Sequence, residues 1–208
     1  GEKGNAMDII ERIIEKEYRM FDKVNEGGSR ASCQDDKETF YAMRRCQFAA
    51  WNEEMRESYL EDLTCAEEDG FNLITEKYAR MMKYTAPEEY AEMEPFLRPV
   101  TCEKEALVEQ IHGISMDWSR KLRDQYPHIA SGGRSLEDDE VSQFGGTSIS
   151  TYLRGELLTY SEKTLSAYLK WQQELLAKGE NMDLTILEET VKLYGFASLE
   201  EAEANMQC

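Results

Sequence analysis

The feature that most constrains this chain is its helical periodicity, held between strong stop signals. In "MDIIERIIEKEYRMFDKVN" (7–25), Ile10, Ile13, Ile14, Phe21 and Val24 fall on one face of a helix with charges opposite. Similar runs continue along the chain, and each is bounded by a residue that starts or ends a helix. Asp35 or Asp36 caps a run from Lys37 to Trp51. Asn52 caps a run that stops at Gly70, and Asn72 caps the next. "TAPEEYAEM" (85–93) predicts a short helix capped by Thr85. Thr101 opens a long one that ends before Tyr126-Pro127. Residues 127–147 read as irregular. Helices follow over about 149–160, 162–178 and 184–194, and a capping box of Ser198 and Glu201 opens the last. No run alternates as a strand does, so the fold class is all-α.

The chain also repeats itself. "AMRRCQFAAWNEEMRESYL" (42–60) and "TYLRGELLTYSEKTLSAYL" (151–169) align at an offset of 109 residues. At that offset Arg45 meets Arg154, Trp51 meets Tyr160, Asn52 meets Ser161, Gly70 meets Gly179 and Asn72 meets Asn181. "GGSR" (27–30) is answered by "GGR" (132–134), which pairs Arg30 with Arg134. Acidic helices resemble one another cheaply, but caps and stops are structural requirements. Their coincidence predicts a helical bundle of two repeated multi-helix halves, about 7–95 and 100–206, related by a pseudo-twofold axis. Residues 1–6 read as appended sequence, and 7–208 as a single domain.

Several stretches resemble a prokaryotic family catalogued only as a domain of unknown function. They are "GGSRASCQDD" (27–36), "QFAAW" (47–51), "SYLEDL" (58–63), "NLITEKYARMMKYTAPEEY" (72–90), "TYLRGELLTYS" (151–161) and "YGFASLEEAE" (194–203). The resemblance spans nearly the whole chain from Met7. It implies an intact fold and a soluble bacterial or archaeal origin, and it supplies no mechanism.

Charge excludes one class of partner. The chain has 24 Lys and Arg against 42 Asp and Glu, a net charge of −18, which repels phosphate backbones and anionic membrane surfaces. Neither nucleic acid nor a membrane is expected as a partner, and no stretch approaches the ~20 apolar residues of a membrane span. An oligomer is left open. The five cysteines are odd in number and irregularly spaced, which reads as free thiols in a cytoplasmic protein.

No phosphate loop, dinucleotide fingerprint, HExxH or nucleophile elbow occurs, so the sequence names no cofactor. "SLEDDE" (135–140) could hold a hard cation through oxygen, but without loop spacing it reads as a solvated acidic run, and no metal site is assigned. Glu76 and Arg80 read as a surface i,i+4 pair. "TYLRGELLTYS" is the strongest candidate. Tyr152, Glu156 and Tyr160 lie at i, i+4 and i+8 beside Leu153 and Leu157. A carboxylate on an apolar face needs a partner, and Arg30, Arg45, Arg134 or Arg154 is the expected one. With Trp51 as the counterpart of Tyr160, these residues form the candidate ligand site. They point first to a domain that binds a small anionic or polar molecule between its halves, in a sensing or accessory role. The rivals are a carboxylate- or metal-dependent hydrolase or transferase, and a protein-interaction module.

Overall fold

The computed structural model describes residues 2–24, 36–137 and 147–206, and side chains from residue 9 onward. Among the described residues the protein is all-helical. Eleven α-helices follow in order: α1 (Glu2–Asp22), α2 (Lys37–Ala49), α3 (Glu53–Asp69), α4 (Leu73–Thr85), α5 (Pro87–Met93), α6 (Cys102–Gln125), α7 (Pro127–Ser131), α8 (Ile149–Leu157), α9 (Glu162–Ala177), α10 (Met182–Leu193) and α11 (Leu199–Asn205). No described helix is long and apolar enough to cross a membrane.

Local chemistry sets most of the boundaries. The side chains of Asp36, Asn52, Asn72, Thr101, Ser148, Ser161, Asn181 and Ser198 each accept a hydrogen bond from a backbone N–H in the first turn of the helix they precede. α3 and α9 end alike. Gly70 (φ +76°) and Gly179 (φ +70°) adopt the left-handed conformation. The next amide donates back over the turn, from Phe71 to the Ala66 carbonyl and from Glu180 to the Leu175 carbonyl, both at 2.8 Å.

Two expectations are corrected at helix ends, and α1 begins at Glu2. Thr85 closes α4 instead of capping α5, because Pro87 takes the first helical position and Ala86 becomes the cap. Residues 127–131 are helical for the same reason: Pro127 starts α7 where a break was expected.

The helices pack around one large core. α1 lies against α2, α3 and α4, while α6 lies against α8, α9 and α10. α3 crosses α9, α4 packs on α8, and α2 packs on α10. The core is built from Ile13, Ile14, Phe48, Trp51, Met55, Leu63, Ile111, Leu157, Leu165 and Met182, together with Tyr59, Tyr160 and Tyr168. Trp51 stands edge-on to Phe48, Tyr59, Tyr160 and Tyr168, with ring centroids 4.9–6.0 Å apart. Such edge-to-face contacts add about 0.5–1.5 kcal/mol per pair beyond area burial. A smaller cluster of Tyr126, Val191, Leu199 and Ala202 holds α7 and α11 to the end of α6.

Where α4 meets α8 the backbones come unusually close. A Cβ on Gly155 would lie 2.6 Å from Met81 Cγ and 3.0 Å from the Lys77 carbonyl oxygen. Only glycine permits this approach, and it brings Lys77 to the face of α8 that carries Tyr152 and Glu156. Cys46, Cys65 and Cys102 are free thiols. Cys33 and Cys208 lie outside the described residues.

Candidate functional site

The apolar faces of α1, α2, α3 and α8 converge on a group of charges that they cannot solvate. Glu17 of α1 is 1% exposed. A carboxylate at that depth is tolerated only when it is paired and hydrogen-bonded. Arg44 of α2 provides both. Its Nε and one terminal nitrogen donate to the two Glu17 oxygens at 2.9 and 2.8 Å, and the Tyr59 hydroxyl donates to the same carboxylate at 2.6 Å. The Arg44 fork also reaches Glu156 of α8 at 3.2 Å, and its plane covers the Phe48 ring at 4.7 Å. On the far side, Lys77 donates to the Tyr152 hydroxyl at 2.9 Å and lies over that ring.

Two cations and two anions thus form a neutral quartet of Glu17, Arg44, Glu156 and Lys77. Burial opposes the ionisation of Glu156. Arg44, Lys77 and a hydrogen bond from Tyr160 outweigh it and hold the carboxyl below its ordinary range. Burial opposes the charge of Arg44 and Lys77 in turn. Glu17 and Glu156 raise Arg44 well above its usual value, and Glu156 raises Lys77. The Tyr160 and Tyr168 hydroxyls are pushed up by burial first and then by neighbouring carboxylates, so both remain donors.

Beside the quartet lies a cavity of about 210 Å³. Arg44 and Gln47 of α2 form one wall, and Ser115 and Ser119 of α6 another. Tyr152, Leu153, Glu156 and Leu157 of α8 face it, along with Tyr160, Tyr168 of α9, Asp183 of α10 and Arg134. The exposed Arg134 lies over the Tyr152 ring at 4.8 Å, and one of its terminal nitrogens donates to the Thr147 carbonyl at 3.0 Å.

Of the residues singled out in the sequence, Arg134, Tyr152, Glu156 and Tyr160 meet at this cavity, and Trp51 packs edge-on behind Tyr160. Arg45 and Arg154 are elsewhere. Arg45 pairs with Glu11 at 2.6 Å on the surface, and Arg154 pairs with Glu109 at 3.0 Å beside a different hollow. Arg30 lies outside the described residues, as do residues 138–140 of the acidic run. The arginine that pairs with Glu156 is Arg44, next to one of those expected. Neighbours on a helix point about 100° apart, and the repeat register drew attention to Arg45. Glu76 and Arg80 also depart from expectation, being 8% and 6% exposed. Arg98 joins Glu76, Arg80 donates to the Arg98 carbonyl, and Arg98 donates to the Thr159 carbonyl. A pair that a lone helix would place at the surface is enclosed because α4 is covered by α1, α5 and α8.

Asp183 is the residue that sequence reasoning missed. In the first turn of α10 it reads as an ordinary helix-start acid. In the fold it faces the cavity with Ser119 Oγ 3.4 Å away as a hydrogen-bond donor, and it makes no ion pair among the described residues. Burial without a counter-charge pushes its carboxyl up to about 7, with Ser119 pulling weakly the other way. An acid whose pKa rises on folding stabilises the native state only while it holds its proton. That contribution is complete below about pH 4 and is lost as the pH rises through about 7. Asp183→Asn should therefore match the wild type near pH 4 and exceed it at pH 8. The advantage should be at most about 4 kcal/mol, since each tenfold change in proton affinity is worth about 1.4 kcal/mol. Urea denaturation at both pH values measures this, and an advantage that does not grow with pH would contradict the assignment.

Among the described residues, no group of three or more His, Cys, Asp or Glu side chains is placed to hold a metal ion. Among the described residues, the fold and cavity define an all-helical domain with a polar pocket between its helices. A family model described as "Protein of unknown function (DUF4125)" matches residues 7–204, and the chain belongs to that family. No curated protein and no solved structure matches it.

Proposed function

We propose that this is a small-molecule-binding domain that takes a polar or anionic ligand into the cavity beside the Glu17–Arg44–Glu156–Lys77 quartet. One observation carries the reading. The quartet satisfies itself, and the cavity beside it is lined by a further set of convergent polar residues: Arg134, Asp183, Gln47, Tyr152, Tyr160 and Tyr168. A purely structural salt bridge needs no cavity next to it, whereas recognition needs a few convergent polar groups in a concavity. Arg134 is the group suited to a ligand carboxylate or phosphate, since its fork offers two-point contact and only one of its terminal nitrogens is engaged with Thr147.

The reading includes the architecture. We take the domain as one unit over 7–208, with halves of about 7–95 and 100–206 related by a pseudo-twofold axis. The exchange of partners supports this: α2 packs on α10 and α8 on α4, while α3 and α9 cross each other. The paired glycine stops of α3 and α9 recur at the sequence offset of 109. On this view the ligand sits where the halves meet, and a cytoplasmic sensing or accessory role follows.

A thermal-shift panel of soluble metabolites tests the binding role. At least one carboxylate- or phosphate-bearing compound should raise the Tm of the wild type by several degrees. Arg134→Ala, at an exposed position, should keep the wild-type Tm without ligand and lose most of that shift. A panel with no hit, or a hit unaffected by both Arg134→Ala and Tyr152→Ala, would overturn the reading.

A further inference from the structure

The charges of the cavity say more about its occupant. With Glu17, Arg44, Glu156 and Lys77 balanced among themselves, one cation and one anion remain to face the space, Arg134 and Asp183. The fully buried acids have strong partners, and half-buried Asp183 does not. Glu17 has Arg44, Glu76 has Arg98 and Arg80, and Glu203 has His128 with two backbone amides. Asp183 has a hydroxyl at 3.4 Å. Among the described residues, no charge comes close to it from the elements packed around α10. Arg44 on α2 is committed to Glu17 and Glu156, Tyr168 on α9 is neutral, α6 presents Ser119, and the charged residues of α11 are all acidic.

A second hollow adjoins the cavity. Ser119, Arg134 and Ile149 line a second hollow of about 200 Å³, whose other walls include Leu122, Tyr126, Ile129, Leu136 and Leu187. The polar chamber and the apolar hollow therefore neighbour one another at Ser119, the residue that bonds Asp183.

Building on the ligand-binding reading above, we infer that the cavity is shaped for a small zwitterion with an apolar side chain, of the amino-acid type. Its ammonium sits on Asp183 and Ser119, its carboxylate on Arg134, and its hydrocarbon part lies in the hollow of Leu122, Ile129 and Leu187. Such a molecule supplies a counter-charge to each of the two groups that have none among the described residues. A simple anion leaves Asp183 orphaned, and a simple amine leaves Arg134 facing a like charge. The raised pKa of Asp183 fits a carboxylate whose counter-ion comes with the ligand.

Three compounds of one shape separate the contributions: L-leucine, 4-methylpentanoate, which lacks the ammonium, and isopentylamine, which lacks the carboxylate. Binding is followed by calorimetry and by the ¹³C carboxyl resonance of Asp183. Leucine should bind at least tenfold more tightly than either fragment and should move the Asp183 titration to lower pH. Asp183→Asn, with its fold verified by circular dichroism, should bring leucine down to the level of 4-methylpentanoate. Arg134→Ala should bring it down to the level of the amine. If 4-methylpentanoate binds as well as leucine to wild type and to Asp183→Asn, the ammonium site is wrong while the anion-binding cavity stands. If none of the three binds, the zwitterion assignment is overturned, and the metabolite panel then decides the binding role by itself.

Discussion

Arg44→Met should cost the domain about 3–5 kcal/mol, the usual penalty for removing one partner of a buried ion pair. Glu17 is 1% exposed and, among the described residues, would keep only the Tyr59 hydroxyl as a donor. Glu156 would keep Lys77 and Tyr160. For a chain of this size the loss corresponds to a fall in Tm on the order of 10 °C. The cost should lie in the orphaned charge and not in the lost packing, since methionine fills much of the same volume against Phe48. The double variant Glu17→Leu, Arg44→Met should therefore be more stable than Arg44→Met alone, even though it changes more. Urea unfolding followed by the fluorescence of the three tryptophans gives both numbers. A single variant within about 1 kcal/mol of wild type would mean that the quartet does not hold α1, α2 and α8 together.

The second large effect is expected at Gly155. Its Cβ position lies 2.6 Å from a Met81 side-chain carbon, which can move, and 3.0 Å from the Lys77 carbonyl oxygen, which cannot move without α4. Gly155→Leu adds a whole branched side chain at that contact and should cost about 3 kcal/mol, the upper end of ordinary overpacking. Gly155→Ala is milder. Alanine gains about 1 kcal/mol in helix propensity over glycine, but its Cβ still meets Met81 Cγ, near the base of a buried side chain, so a net loss smaller than leucine's should remain. The larger variant should also disturb the site. Parting α4 from α8 draws Lys77 away from Tyr152, whose bond is 2.9 Å long, and from Glu156. Thermal melts measure the stability, and a ligand-binding assay on Gly155→Leu below its Tm measures the site. A leucine variant as stable as the alanine one would show that the interface has room that the geometry denies it.

Helix positions were largely legible in the sequence, because the forces that set them are local. The hydroxyl or amide oxygen of Asn52, Asn72, Thr101, Ser161 or Ser198 bonds an amide two or three residues away. The left-handed stops at Gly70 and Gly179 are likewise settled within one turn. The starts at Pro87 and Pro127 were misjudged for a reason just as local. Proline ends the preceding helix and also suits the first position of the next one, and the second effect prevailed.

The sequence by itself also determined that Glu156 would need a cation, because a carboxylate among Tyr152, Leu153, Leu157 and Tyr160 cannot be left bare. It could not say which cation. Arg44 and Arg45 differ by one residue and by about 100° around α2. One enters the core against Glu17, and the other meets Glu11 at the surface. That choice is fixed by how α2 is rotated against α1 and α8, which depends on every side chain in their shared interface. The same holds for Glu76 and Arg80, buried only because three helices cover α4, and for Asp183, an ordinary first-turn acid until α6 and α9 close around it. Caps and periodicity act over a few residues and are written in the sequence. Burial and partnership are properties of surfaces that meet only after the helices pack, and in this protein those surfaces made the cavity.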